Sequence, residues 1–248
     1  MSSEPITFYD LTLRNGIIGS PNAWKTRYTL NYKGLPYKST FLNFIDIKPT
    51  LKALDVPPLE GDFYTVPSII DPKTGRRISD SLRIAEYLDT QYPDTPQLLP
   101  PGTREAQEAF EKNVRQPFAF TVFPLILLDF FNTIIDEKDQ AYFKTSREAQ
   151  FGAPFEAVVP TGDARAAQLE VVRAGVENVH REIEKHAGEG KIFFGGDRPV
   201  FADFQLAATF KSFLMGFGKE YEVNKLILSN EWAAKFIGAF EQWASTEQ

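Results

Sequence analysis

A proline-rich break divides this chain and limits what it can fold into. Tyr92-Pro93-Asp94-Thr95-Pro96 and Leu99-Pro100-Pro101-Gly102 place four prolines and a glycine within eleven residues. Proline lacks the N–H that a helix or a central strand needs, so neither can run through this stretch. The patterns on its two sides differ. Before it, short apolar runs alternate with turn residues. After it, apolar residues recur at helical spacing. The chain therefore divides into residues 1–93, a linker over 94–104, and residues 105–248.

In the first part, residues 6–11 read as a buried strand. Ser20-Pro21 opens a helix to about Tyr32, with serine at N-cap and proline at the first helical position. Gly34 and Pro36 end it. Residues 37–44 read as a second strand and 65–71 as a third. Asp71-Pro72-Lys73-Thr74-Gly75 is a hairpin turn into a short return strand over 76–78. Ser79-Asp80-Ser81 starts a helix that runs to Tyr92. The order β-α-β-loop-β-β-α is the thioredoxin-like arrangement. The second part shows no strand pattern. It predicts helices over 104–131, kinked at Pro117 and Pro124, then 136–151, 163–186, 199–214 and 231–243. The helix over 199–214 is apolar nearly all round, which predicts burial. The predicted fold class is α/β plus all-α: an N-terminal thioredoxin-like domain followed by a C-terminal all-helical domain.

The 248 residues include no cysteine. That excludes disulfides, cysteine–zinc and iron–sulfur sites, and any mechanism using a protein thiol. The net charge of −6 disfavours binding to a phosphate backbone, so no nucleic-acid partner is expected. Met1 to Pro5 is polar, and the most apolar run, residues 117–128, is too short to span a bilayer. The expectation is a cytoplasmic protein with no membrane partner. His180 and His186 lie on or near the end of a charged helix and read as surface residues, so no metal is expected. Twenty-two phenylalanines predict cores or pockets lined by rings.

Three local features could carry chemistry. Ser20 lies at a helix N-terminus, where unpaired N–H groups favour an anion. Its hydroxyl can donate to a bound thiolate or merely cap the helix. Pro67 lies inside an apparent strand, which suits an edge or a cis bond. With a cis bond, the Val66 backbone could pair with an extended peptide in the manner of strand addition. Asp80-Ser81 begins a helix, where Ser81 can bind a carboxylate and Asp80 can accept from an ammonium. Capping is the plainer role for both.

The order of these features resembles a cytosolic glutathione transferase across essentially the whole chain. The matching segments are Ser20-Pro21, Val66-Pro67 and Ser79-Asp80-Ser81-Leu82-Arg83-Ile84, the last similar to the family's acidic-Ser-x-x-Ile signature. Residues 195–203 resemble the stretch before the family's buried core helix. Val200 takes its Ser/Thr capping position, so only Asp203 can contribute to a capping box there. Ser20-Pro21-Asn22-Ala23-Trp24-Lys25-Thr26-Arg27 resembles the serine-type branch related to bacterial β-etherases, and most closely the fungal class described as Fua.

The resemblance implies that glutathione is the co-substrate and lies extended along the sheet edge. Val66 and Pro67 would meet its cysteinyl backbone, and Asp80 and Ser81 its γ-glutamyl end. Ser20 would donate to the sulfur, with Asn22 or Asn15 as an amide that could assist or replace it. Lys52, Lys48 or Lys38 would meet the glycine carboxylate. Phe118, Phe120, Phe123, Leu127, Phe213, Phe217 and Tyr221 are candidates for an aromatic acceptor site between the domains, with core packing as their alternative. The family further implies a homodimer. Two functions follow: glutathione-dependent conjugation, peroxide reduction or ether/ester cleavage on aromatic electrophiles, or a ligandin that binds small aromatic ligands with little turnover.

Overall fold

The computed structural model describes residues 4–246, the side chains of residues 15, 133 and 134 excepted. Asn15, a candidate for the thiol site, therefore lies outside the described side chains. Strand β1 (Ile6–Leu11) is the hub of a mixed sheet. It pairs in parallel with β2 (Tyr37–Leu42), Ile6 opposite Tyr37 and Leu11 opposite Leu42. On its other side it pairs antiparallel with β3 (Ser68–Asp71), which pairs antiparallel with β4 (Arg76–Ser79). The strand order is β2-β1-β3-β4. A parallel neighbour needs a crossover, and α1 (Pro21–Tyr32) supplies it. Every residue of α1 from Ala23 to Leu30 is buried. The sheet covers one side of this helix, and α9 (Phe201–Phe217) of the helical domain covers another. Helix α3 (Ser81–Gln91) closes the sheet domain.

The element bounds differ from the sequence reading in the middle of this domain. The second strand stops at Leu42, and α2 (Phe44–Ala53) follows where a loop was expected. The third strand starts only at Ser68, after a cis Val66–Pro67 bond. The return strand extends to Ser79, where the Ser68 and Ser79 hydroxyls meet at 2.7 Å.

The helical domain opens with one continuous helical path. It runs through α4 (Arg104–Phe110), a π turn over Glu111–Arg115, α5 (Gln116–Asp129) and a second π turn over Phe130–Ile134. The expected break near Pro117 is thus a widened turn just before the proline, while Pro124 sits inside α5. The helix over Arg104–Asn132 is long and apolar enough, by length and composition, to cross a membrane. The apolar run over 117–128 looked too short only because its helix extends well beyond it. Phe118, Val122, Leu125, Ile126 and Leu127 of α5 are buried.

Then come α6 (Glu137–Phe151), α7 (Phe155–Val158), α8 (Gly162–Ala187), α9, α10 (Glu222–Leu228) and α11 (Glu231–Phe240). Helices α7 and α10 span one or two turns, too short for a periodicity to reveal. At the start of α9 the fully buried Asp203 accepts from the N–H groups of Phe194 (2.6 Å), Gly195 (3.1 Å) and Val200 (2.9 Å). Val200 has no polar side chain to complete the box, as its sequence implies.

One core fills the helical domain and reaches into the first through Trp24 and Tyr28 of α1. A second joins the two domains. It sets Tyr9, Leu11, Leu42, Leu51 and Val66 of the sheet domain against Leu127, Ile135, Phe143 and Phe155 of the helical one. A third lies under the sheet, with Phe8, Leu30, Ile69 and Leu88.

Candidate functional site

Ser20 caps α1. Its Oγ accepts from the Ala23 N–H at 3.3 Å, and its carbonyl accepts from the Trp24 N–H at 3.0 Å. The capping bond uses a lone pair, which leaves the hydroxyl hydrogen free to donate. Trp24 fixes the loop that delivers Ser20. Its buried indole N–H donates to the Ile18 carbonyl at 2.7 Å. Arg14 ties the same loop to the helical domain through the Ile135 carbonyl at 3.2 Å. Ser20 is itself buried, whereas Asn22, at the second position of α1, is exposed.

Val66–Pro67 and Asp80-Ser81 meet directly. The Asp80 N–H donates to the Pro67 carbonyl at 3.2 Å. Asp80 has φ 84° and ψ 129°, a region that non-glycine residues adopt only when their surroundings compel it. Its Oδ1 accepts from the N–H groups of Leu82 (3.0 Å) and Arg83 (3.1 Å), so capping α3 holds it there. Ser81, the first residue of α3, is buried.

Lys25 is a charged neighbour that sequence reasoning passed over. It lies in α1 and is 6% exposed, with Nζ 3.7 Å from Glu111. Arg115 grips the same Glu111 with two bonds and reaches Thr209 of α9 at 3.1 Å. Burial lowers the Lys25 ammonium to about 8. Glu111 acts against that shift, Arg115 adds to it, and Asp80 opposes it. The first π turn thus brings a buried charge cluster up to the Asp80 end of the site. Only the general tendency of π turns to occur at functional sites could have suggested it.

Lys48 and Lys52 are exposed and one turn apart on α2. Lys48 is paired with Asp62, and the charge of Lys52 also acts on Asp62. Lys38 is exposed on β2.

The aromatic candidates separate into two groups. Phe118 is 2% exposed and packs edge-on to Phe210 at 5.7 Å, inside the helical core, so it offers no surface to a ligand. Leu127 is likewise fully buried, and Phe213 is 8% exposed. Phe120 is exposed. Phe123 and Phe217 are half-buried and touch both the helical and the inter-domain cores. Phe217 stacks on Tyr221 at 4.6 Å, and the Tyr221 hydroxyl donates to Asp129 at 2.6 Å.

Residues 19–91 match the family model for the N-terminal domain of glutathione S-transferases, and residues 106–243 match that for the C-terminal domain. The chain is a member of the glutathione S-transferase family. The glutathione S-transferase-like protein ustS of Aspergillus flavus is 34% identical over 241 residues, 88% of this chain and 83% of that one. Among solved structures, glutathione transferase GSTFuA3 of Phanerochaete chrysosporium is 33% identical with TM-score 0.90, covering 100% of both chains. A glutathione S-transferase of Ceriporiopsis subvermispora in complex with glutathione is 31% identical with TM-score 0.90, covering 99% of this chain and 100% of the other. The transferase therefore carries the family's thioredoxin-like and helical domains, and its similarity to fungal FuA enzymes spans both.

Proposed function

We propose that this transferase binds glutathione along the edge of its sheet domain and activates the thiol through Ser20 for attack on aromatic or hydrophobic electrophiles. Conjugation, peroxide reduction and ether or ester cleavage all begin with that thiolate. The observation that carries the reading is the Ser20 hydroxyl, whose capping bond leaves its hydrogen to donate. Val66, beside the cis Pro67, pairs with the cysteinyl backbone. Asp80 and Ser81 hold the γ-glutamyl end, and Lys52 meets the glycine carboxylate. Half-buried Phe123 and Phe217, at the junction of two cores, face the electrophile. On the family's pattern the enzyme works as a cytoplasmic homodimer.

One charge-assisted hydrogen bond can lower a thiol pKa by about one unit, ~1.4 kcal/mol. Below that pKa, Ser20→Ala should therefore cut the thiolate fraction about tenfold. Turnover should fall by that factor with glutathione affinity kept, and the pH–rate profile should move upward by about one unit. Unchanged turnover across several electrophiles would remove Ser20 from the mechanism and bring forward Asn22 or Asn15. The stacked Phe217–Tyr221 pair supports a second reading, a ligandin that holds flat aromatic compounds. Tight aromatic binding without turnover of any substrate would favour it.

A further inference from the structure

We infer that Asp139, a carboxylate of the helical domain, caps α2 from across the domain boundary and is a positioning residue for the glycine end of glutathione. The inference rests on the functional reading above, in which α2 meets that end through Lys52.

Helix α2 does not cap itself. Asn43 sits at its N-cap but makes no capping bond to the helix. Instead the Phe44 N–H donates to Asp139 Oδ2 and the Ile45 N–H to Asp139 Oδ1, both at 3.1 Å. Asn43 Nδ2 also donates to Oδ2, at 3.3 Å. Asp139 is 1% exposed. One buried carboxylate thus satisfies two orphan N–H groups and sets a negative charge at the positive end of the helix dipole.

The helix depends on this cap more than most would. It has only ten residues, and Pro49 stands inside it. Proline removes one intrahelical bond, so little holds α2 together from within. Ile47 and Leu51 bury one side of it in the inter-domain core, and its first turn is fixed from α6. Phe143, one turn beyond Asp139, packs against Phe44 with ring centroids 5.8 Å apart. Lys138 reaches Asp46 at 3.4 Å. Lys48 and Lys52 ride on the later turns of α2, so their positions depend on Asp139, which caps that helix from 95 positions beyond Phe44. Asp139 is placed to control grip on the glycine carboxylate and not the chemistry at the sulfur.

Two thiols separate these roles. Glutathione has the glycine; γ-glutamylcysteine has the same thiol and γ-glutamyl end without it. Asp139→Ala should raise KM for glutathione by about tenfold, the factor that corresponds to ~1.4 kcal/mol and within what a lost cap can supply. KM for γ-glutamylcysteine and kcat with either thiol should stay within about twofold. Asp139→Asn keeps one acceptor oxygen and should fall between wild type and Asp139→Ala. If the alanine variant does not fold, Asp139→Asn decides the matter by showing the same split at smaller size. An equal rise in KM for both thiols, a fall confined to kcat, or unchanged KM values would overturn the inference while leaving the functional reading intact. A wild-type enzyme that does not turn over glutathione would overturn both.

Discussion

Lys25 carries a charge where water scarcely reaches, and that makes the stability of the protein depend on pH. Burial lowers its ammonium from 10.5 to about 8. Between pH 8 and 10.5 the unfolded chain keeps a proton that the folded chain has released. Folding is therefore favoured as pH rises through that window, by up to about 1.4 kcal/mol per pH unit. Below pH 8 the full penalty for burying the charge is present. Urea midpoints for wild type and Lys25→Met, which has no such group, should converge as pH goes from 7 to 9.5. A constant gap would mean that Lys25 is neutral, or fully compensated, throughout. Ser20 and Asp80 were legible as helix caps because a cap is a local device: a side chain bonds to N–H groups two or three residues on. Lys25 and Asp139 were not. Their partners, Glu111 and the Phe44 and Ile45 amides, lie 86 to 95 positions away, and no spacing rule spans that distance. The phenylalanines show a different limit. Phe118 and Phe123 belong to the same apolar run, yet one is sealed in the helical core and the other touches two cores. Composition cannot tell them apart.

At the scale of elements, the start of α9 hangs on a glycine. A Cβ on Gly195 would lie 2.2 Å from the Arg198 carbonyl oxygen and 2.8 Å from Val200 Cγ1. The first of these atoms is backbone and cannot swing aside. Gly195→Ala should therefore pull the segment off Asp203, which accepts the Gly195 N–H. Overpacking of this kind costs about 1–3 kcal/mol, and the loosened carboxylate contacts add to that. Thermal unfolding should show it, while Gly238→Ala, exposed inside α11 with nothing near its added Cβ, should raise Tm slightly, because alanine is favoured over glycine in a helix interior by about 0.5–1 kcal/mol. The long helices were legible because each presents several turns of one face. Helix α2 was missed because the proline in its interior argued against it; Asn43 is a residue type that favours N-caps, but the side chain that caps the helix is Asp139, far along the chain. The first π turn was read as a kink at Pro117 for a related reason. A proline marks where the ladder is interrupted, but not whether the backbone bends there or widens.

At the scale of the whole molecule, residues 243–246 tie the helical domain back to the sheet domain. Residues 243–246 lie against α1 and the edge strand β2. Asn31 of α1 donates to the Trp243 carbonyl at 2.6 Å and to the Ser245 carbonyl at 2.9 Å. The Tyr37 hydroxyl reaches Ser245 and Arg27 reaches Thr246, each at 3.4 Å. Arg27 is fully buried and is held by Asp10 at 2.6 Å, with Tyr37 at 3.1 Å and Ser39 at 3.2 Å. Removing residues 244–248 deletes three of the tail bonds and lets water reach Arg27. At about 0.5–1 kcal/mol each, the loss should lower Tm by about 3–6 °C for a chain of this length. An unchanged Tm would mean that the tail rests on the sheet domain without supporting it.

The same strap bears on how the protein is made. Synthesis runs from the amino end, and the sheet domain leaves the ribosome first. Its α1–β2 side is covered by residues 243–246, which follow about 150 positions after α3. At roughly 5–20 residues per second, about ten to thirty seconds separate the emergence of α3 from that of the tail. For that interval the Arg27–Asp10 pair stands without its cover, and a chain cut after Trp243 keeps every strand and helix of the described residues but leaves the first domain unsealed.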